Sequence, residues 1–499
     1  MTATKNTHII LMLSLILFIP MTSMTQIVED QNEYQESFDS FKNDIKQDFD
    51  AFRQKNDSIF YKFLEQSWVK FNLFKEARPT EPKPQEQPVM RIVPIENTRT
   101  DPIKPRTILE DSGRQMILNG KPPVYKRKAT YDPPSGASIS FDFYGTPIEI
   151  EKPKMIEKDI RAINGKEIAE TYKSMSNDEV IHKTIRMLES EAEKKHLNGW
   201  GTLDLFRTAS GKLYTSVNDQ VLFTWFALLR TGYEARVGYN QADIYLLAAF
   251  DAQAFYRPYF ELKGIKYYLV SFNGQNPDLS SITSYEVDYP EKLSYLSLYF
   301  DRYPEFAFNP GYRTVKYRGE EVRLAYNQNL TNFYSQYPES DLSVYFQPCI
   351  SEGAIQEFDN FMWEHTSGKT NEQKVNFFLD FIQVSFGYQT DEQQFGSENY
   401  LFAEESLRYP FADCEDRTVL LDQFIKAYTG VQTIAIVYPG HVLLGVYFEE
   451  PMEGIYVAYD DKKFYVADPT YIGAKLGIIM SEFEHAKPEI IDIQKLDKY

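Results

Sequence analysis

One stretch near the C-terminal end constrains the fold more than any other. Leu421, Phe424, Ile425 and Tyr428 fall on one helical face, and Gly430 then suits the left-handed closure that helix C-termini favour. The period changes within a few residues: 433–437, 441–448, 455–459 and 464–467 read as β-strands. A helix with Cys414 at its start, feeding a run of antiparallel strands, has to lay its apolar face on the sheet, which sets the fold class as α+β.

The rest of the chain divides by pattern, and its 499 residues suffice for two to four domains. Residues 1–25 read as an export signal: Lys5, an apolar run from Ile9 to Pro20, and small residues before a cut ahead of Gln26. An uncleaved anchor is the alternative reading of the same residues. Residues 26–76 show Tyr34, Phe38, Phe41, Ile45, Phe49 and Phe52 at steps of three and four, continuing through Phe63 and Phe74. That spacing predicts an amphipathic helix, able to pack on its own domain, on a partner or on a second copy. Proline density makes 77–130 a linker, 131–175 holds short strands and a connector, and 276–350 is rich in Tyr, Phe and Val, as β-structure is. The last unit is 351–499.

A formal net charge of −19 gives a field that repels nucleic acid and anionic membrane surfaces. Beyond the signal no stretch is long and apolar enough to span a bilayer, so an exported protein, periplasmic or extracellular, is expected. Only two cysteines occur, Cys349 and Cys414, too few for a disulfide framework, although they could pair with each other. A free thiol in an oxidising compartment needs a reason, and nucleophilic catalysis is one.

At a helix N-terminus, unpaired N–H groups and the dipole favour a thiolate, which the nearby Asp413, Glu415 and Asp416 oppose. A cation must help, and His441, after Tyr438-Pro439-Gly440 at the head of an apolar strand, is the candidate. Asp468 closes a later strand, where a carboxylate can hold an imidazole in one tautomer. Taken singly, the histidine reads as structural and the aspartate as a turn starter. Together, Cys414-x-Asp416, Tyr438-Pro439-Gly440-His441 and Val466-Ala467-Asp468-Pro469-Thr470 resemble the transglutaminase-like superfamily of papain-type thiol enzymes, over about Ser351 to Ala486. Two departures are visible: Ala412 where a glycine is common, and no aromatic closely following His441.

The resemblance implies Cys414, His441 and Asp468 as catalytic residues on a helix packed against an antiparallel sheet. It further implies acyl transfer from a peptide or protein amide through a Cys thioester, with hydrolysis favoured over crosslinking. The oxyanion would lean on the Cys414 N–H and a second donor from residues 388–410. No calcium loop or His/Cys cluster is present in the sequence, so neither metal nor other cofactor is expected. The alternative function is a non-catalytic binding or envelope scaffold built on the same fold.

An internal comparison adds a second expectation. Ser216 to Gly232 and Cys414 to Gly430 are both steps of 16 positions, and Gly232 to Asp243 and Gly430 to His441 both steps of 11. Ser216, Asp243 and Val270 or Ser271 would stand at the reactive positions, which could not run the same chemistry. Residues 176–275 are thus expected to be a degenerate copy, against the simpler reading of an unrelated helix followed by strands.

Overall fold

The computed structural model describes residues 54–78, 83–90, 102–103, 106–107, 134–153 and 163–496. The expected signal and most of the Phe-rich helix lie outside them. Residues 1–63 and 64–499 form two separate units. In the first, the described residues are helical from 54 onward.

The second unit is mixed α+β. Helical periodicity does not continue through Phe74 as the sequence reading expected: β1 (Trp68–Asn72) and β2 (Phe74–Lys75) are strands. Apolar residues three apart fit either period over so short a run, and here pairing with a sheet decides. The segment read as linker contributes β3 (Pro102–Ile103) and β4 (Arg106–Thr107). A hairpin follows, β5 (Ser138–Phe143) and β6 (Thr146–Glu151). Four helices come next: α1 (Gly165–Ser176), α2 (Glu179–Lys194), α3 (Gly199–Leu213) and α4 (Val217–Arg230). Asn164, Asp178, Asn198 and Ser216 cap their N-termini with side-chain oxygens.

Strands β7 (Ala235–Tyr239), β8 (Ile244–Ala249), β9 (Pro258–Leu262), β10 (Ile265–Val270) and β11 (Ser281–Tyr285) complete a seven-stranded sheet. Its order is β1-β11-β7-β8-β10-β9-β2. The middle region is a hairpin, β12 (Pro310–Tyr317) with β13 (Glu320–Asn327), and two short helices, α5 (Gln328–Tyr334) and α6 (Leu342–Tyr345). It is less purely β than expected, since Asn327 caps a helix directly off β13.

The last third carries α7 (Glu352–Thr366), α8 (Asn371–Ser385), the short α9 (Asp391–Phe395) and α10 (Ala403–Arg408), then α11 (Cys414–Tyr428). After it come β14 (Thr433–Tyr438), β15 (His441–Tyr447), β16 (Tyr456–Tyr459), β17 (Lys462–Ala467) and β18 (Glu489–Ile491). They form a second seven-stranded sheet in the order β4-β18-β14-β15-β17-β16-β3.

The two sheets match strand for strand. Every pairing from β11 to β9 is antiparallel, as is every pairing from β18 to β16. Cross-strand register agrees with the sequence spacing, Tyr239 opposite Ile244 and Val437 opposite Val442. Only the outermost strands differ in sense: β1 and β2 join antiparallel, β3 and β4 parallel. Each sheet has its own buried apolar layer, Leu247, Phe260 and Leu269 in one and Ile436, Leu443 and Val466 in the other. Both layers are built from strand and loop residues, and at about 25 cal/mol per Å² of apolar surface removed from water they bind the connecting loops to the sheets.

Candidate active site

His441 owes its position to a two-residue hairpin. Pro439 and Gly440 link β14 to β15 with Tyr438 directly opposite His441, and Gly440 takes the φ of 71° that such a turn requires of it. Asp468 follows the last residue of β17, whose Ala467 lies opposite Leu444 on the same strand as the histidine. The two side chains meet: His441 Nε2 is 2.8 Å from Asp468 Oδ2, both fully buried. Asp468 Oδ1 accepts the backbone N–H groups of Thr470 and Tyr471 at 2.9 and 3.1 Å, which fixes the carboxylate from its other side. Phe483 stacks on the imidazole with centroids 5.1 Å apart. Burial opposes the charged imidazole, yet the Asp468 carboxylate outweighs it and raises the His441 pKa. His441 Nδ1 has no hydrogen-bond partner.

Cys414 is the first residue of α11 and is buried. The Thr418 hydroxyl, one turn on, lies 2.7 Å from Cys414 O and 3.0 Å from Val442 O, tying the start of α11 to the residue after His441. The thiol itself points elsewhere, donating to Glu415 Oε2 at 2.8 Å. Burial first, then the Glu415 and Asp413 carboxylates, push its pKa well above the ordinary value. Neither cysteine is in a disulfide, so the alternative of a Cys349 to Cys414 bridge is not realised.

Residues that sequence reasoning passed over surround this thiol. Lys83, from the proline-rich stretch, buries its ammonium 2.6 Å from Glu398, 2.7 Å from Asp413 and 3.1 Å from the same Glu415 oxygen that holds the sulfur. Asp391 stands 3.9 Å away. Glu415 is held down to about 2 because Lys83 overcomes the cost of burial. Burial pushes Asp413, Asp391 and Asp416 up, helped by the Glu415 charge at Asp413 and by the Asp413 charge at Asp391 and Asp416. Asp413, Cys414 and Glu415, and separately Asp391, Asp413 and Asp416, bring ligating atoms within 4.8 Å of one another, making them the described groups from which a metal site could be built. Lys83 already supplies positive charge there.

Arg417, fully buried, ties the chain around the site. Its Nε donates to Ala412 O at 2.9 Å and its Nη2 to Phe386 O at 2.6 Å, while Nη1 reaches Pro469 O at 3.4 Å. Gln383 of α8 donates to Asp468 O at 2.9 Å. An arginine in the first turn of the cysteine's helix, beside two acids, was the available sequence signal; for Lys83 there was none, because a lysine among prolines reads as solvated.

In the upstream segment that shares this spacing, Ser216 is an N-cap, its hydroxyl accepting from Asp219 N, and Asp243 accepts from Tyr245. Register puts Leu246 opposite Val270 where Leu444 is opposite Ala467, so Ser271 takes the place of Asp468. No helix among the described residues is long and apolar enough to cross a membrane. No family model matches the chain, and no curated protein or solved structure does either.

Proposed function

We propose that the chain is an exported, transglutaminase-like cysteine enzyme that acts on peptide or protein amide bonds. The observation that carries this reading is the buried His441–Asp468 pair, whose imidazole presents an unpartnered Nδ1 beside the strand start that Thr418 fastens to Cys414. In that role Cys414 Sγ attacks the amide carbon, the imidazolium protonates the departing amine, and a thioester remains. Water or a second amine then takes the acyl group, the imidazole accepting its proton. Asp468 keeps the proton on Nε2, leaving Nδ1 to exchange with the sulfur.

One observation favours a binding or scaffold role instead: the thiol is hydrogen-bonded to a carboxylate and held in its neutral form. Incubating the protein with a peptide library, and scoring cleavage, ammonia release and crosslinking, separates the two. The enzymatic reading expects Cys414→Ala to remove at least about a thousandfold of the rate. Equal turnover by wild type and variant, or none by either, leaves the scaffold.

A further inference from the structure

Residues 83–90 lie against the site as a peptide would. Met90 N donates to Ile472 O and Ile472 N to Pro88 O, both at 2.9 Å, so Val89 pairs in parallel with Ile472, four residues after Asp468. Gln87 donates to Gln383 O at 3.0 Å and Thr470 O at 3.1 Å and takes a long contact from Arg417 at 3.5 Å. Tyr388 donates to Pro84 O at 2.7 Å. Gln85, Glu86 and Val89 face solvent, whereas the Lys83 side chain is 6% exposed. Main-chain pairing at the rim through Val89, with the Lys83 side chain turned into a pocket, is how a bound extended peptide is held.

The pocket that receives Lys83 holds more negative charge than one ammonium balances. Asp391, Glu398, Asp413 and Glu415 all approach it, and Asp413 Oδ1, fully buried, has no hydrogen-bond partner. A buried oxygen left unsatisfied marks a site built to take a further donor. Lys83 and Cys414 share one oxygen, Glu415 Oε2, so the occupant of this pocket also sets the charge felt by the sulfur.

We propose that this groove is a binding site for an extended peptide carrying a lysine or another primary ammonium, and that segment 83–90 is its intramolecular occupant, held in place of that ligand. The bound ammonium is a recognition element and not a reactant. The surrounding acidic groups, Glu415 foremost, keep it charged and non-nucleophilic, burial notwithstanding. The inference rests on Cys414 being the reactive group only for its consequence, that an incoming ammonium must replace the Lys83 charge when the segment leaves.

Binding of an N-terminally acetylated, C-terminally labelled peptide, Lys-Pro-Gln-Glu-Gln-Pro-Val-Met, followed by fluorescence anisotropy on the full chain, tests it. Wild type, with its groove filled, should bind weakly. Lys83→Met should bind about ten- to a hundredfold more tightly, and a peptide with norleucine for lysine should lose that gain, as expected for a charged hydrogen bond in a buried pocket. Near-UV circular dichroism checks that the variant is folded. If it is not, Gln87→Ala, which loosens the segment without touching the carboxylates, should raise affinity over wild type in the same lysine-dependent way. Equal affinity of folded variant and wild type, or equal affinity for the two peptides, overturns the proposal. Measuring turnover of the same peptides by the loosened chain and by its Cys414→Ala counterpart separates the claims: lysine-dependent binding with no Cys414-dependent turnover sinks the enzymatic reading alone, and Cys414-dependent turnover without lysine-dependent binding sinks this one alone.

Discussion

At the residue scale the acid cluster governs how the site responds to pH. Burial and neighbouring carboxylates, Glu415 for the first and Asp413 for the second, raise Asp413 to about 7 and Asp391 to about 9, so the folded chain keeps protons there that the unfolded chain has given up. Stability from such groups is complete below the ordinary carboxylate range and declines as pH rises towards the raised values. His441, also raised, adds a loss of the same sign above the ordinary histidine value. The melting temperature should therefore fall steadily between about pH 5 and pH 9, and the fall should flatten in Asp391→Asn, whose amide oxygen can still accept from Asn399 N. A wild-type optimum near neutrality, measured by calorimetry across that range, would show that the carboxylates are not perturbed in this way. Thr418→Val tests the other fastening: it removes the buried hydroxyl that lies between the Cys414 and Val442 carbonyls and should cost about 1–3 kcal/mol, read as a shift in the denaturant midpoint. How far these residues could be foreseen differs by type. Cys414, His441 and Asp468 announce themselves because thiol, imidazole and carboxylate sit where a helix and two strands begin or end. Lys83 does not, since its burial depends on carboxylates more than 300 positions away, brought together only by folding.

Among the elements, the helix and strands that carry the site were the legible part. Strands expected over 433–437, 441–448, 455–459 and 464–467 lie at Thr433–Tyr438, His441–Tyr447, Tyr456–Tyr459 and Lys462–Ala467. Dense β-branched and aromatic runs between turn residues leave little choice there. The sheet edges were not legible: β2, β3 and β4 are two residues each, too short for any period, and exist only because a longer strand offers its free edge. The close packing of β15 makes a sharp prediction. A Cβ on Gly445 would stand 2.8 Å from an Ile434 side-chain carbon and 3.0 Å from Ile436 and Phe464, atoms of the buried layer beneath the site. Gly445→Ala should destabilise the fold by about 1–3 kcal/mol through overpacking, measured by urea unfolding. An unchanged midpoint would mean that the layer yields more easily than a packed interior does.

On the scale of the molecule, two sheets of one strand order raise the question of what couples them. The equal helix and strand spacings made the shared strand order readable, whereas nothing in the spacing indicated how one sheet would be joined to the other. Arg78, just past β2, is a principal link. Its guanidinium is 2.6 Å from Glu339, donates to Ser340 O, and lies between Phe255, from the β8–β9 connection, and Tyr400, ahead of α11, with ring centres 4.9 and 3.3 Å away. Glu339 is pushed up to about 7 by burial even with that partner, so removing the arginine leaves a carboxylate that must either protonate or force the contact open. Breaking a buried pair in this manner costs about 3–5 kcal/mol, and here the loss falls on the junction and not on either core. Tryptophan position supplies a local probe, since Trp68, Trp200 and Trp225 belong to the first half and only Trp363 to the second. Wild type should unfold in urea with fluorescence and far-ultraviolet circular dichroism superimposed. Arg78→Met should separate the two curves, because the halves then open at different denaturant concentrations. If they stay superimposed at the wild-type midpoint, the halves are coupled elsewhere and Arg78 is a bystander at the junction.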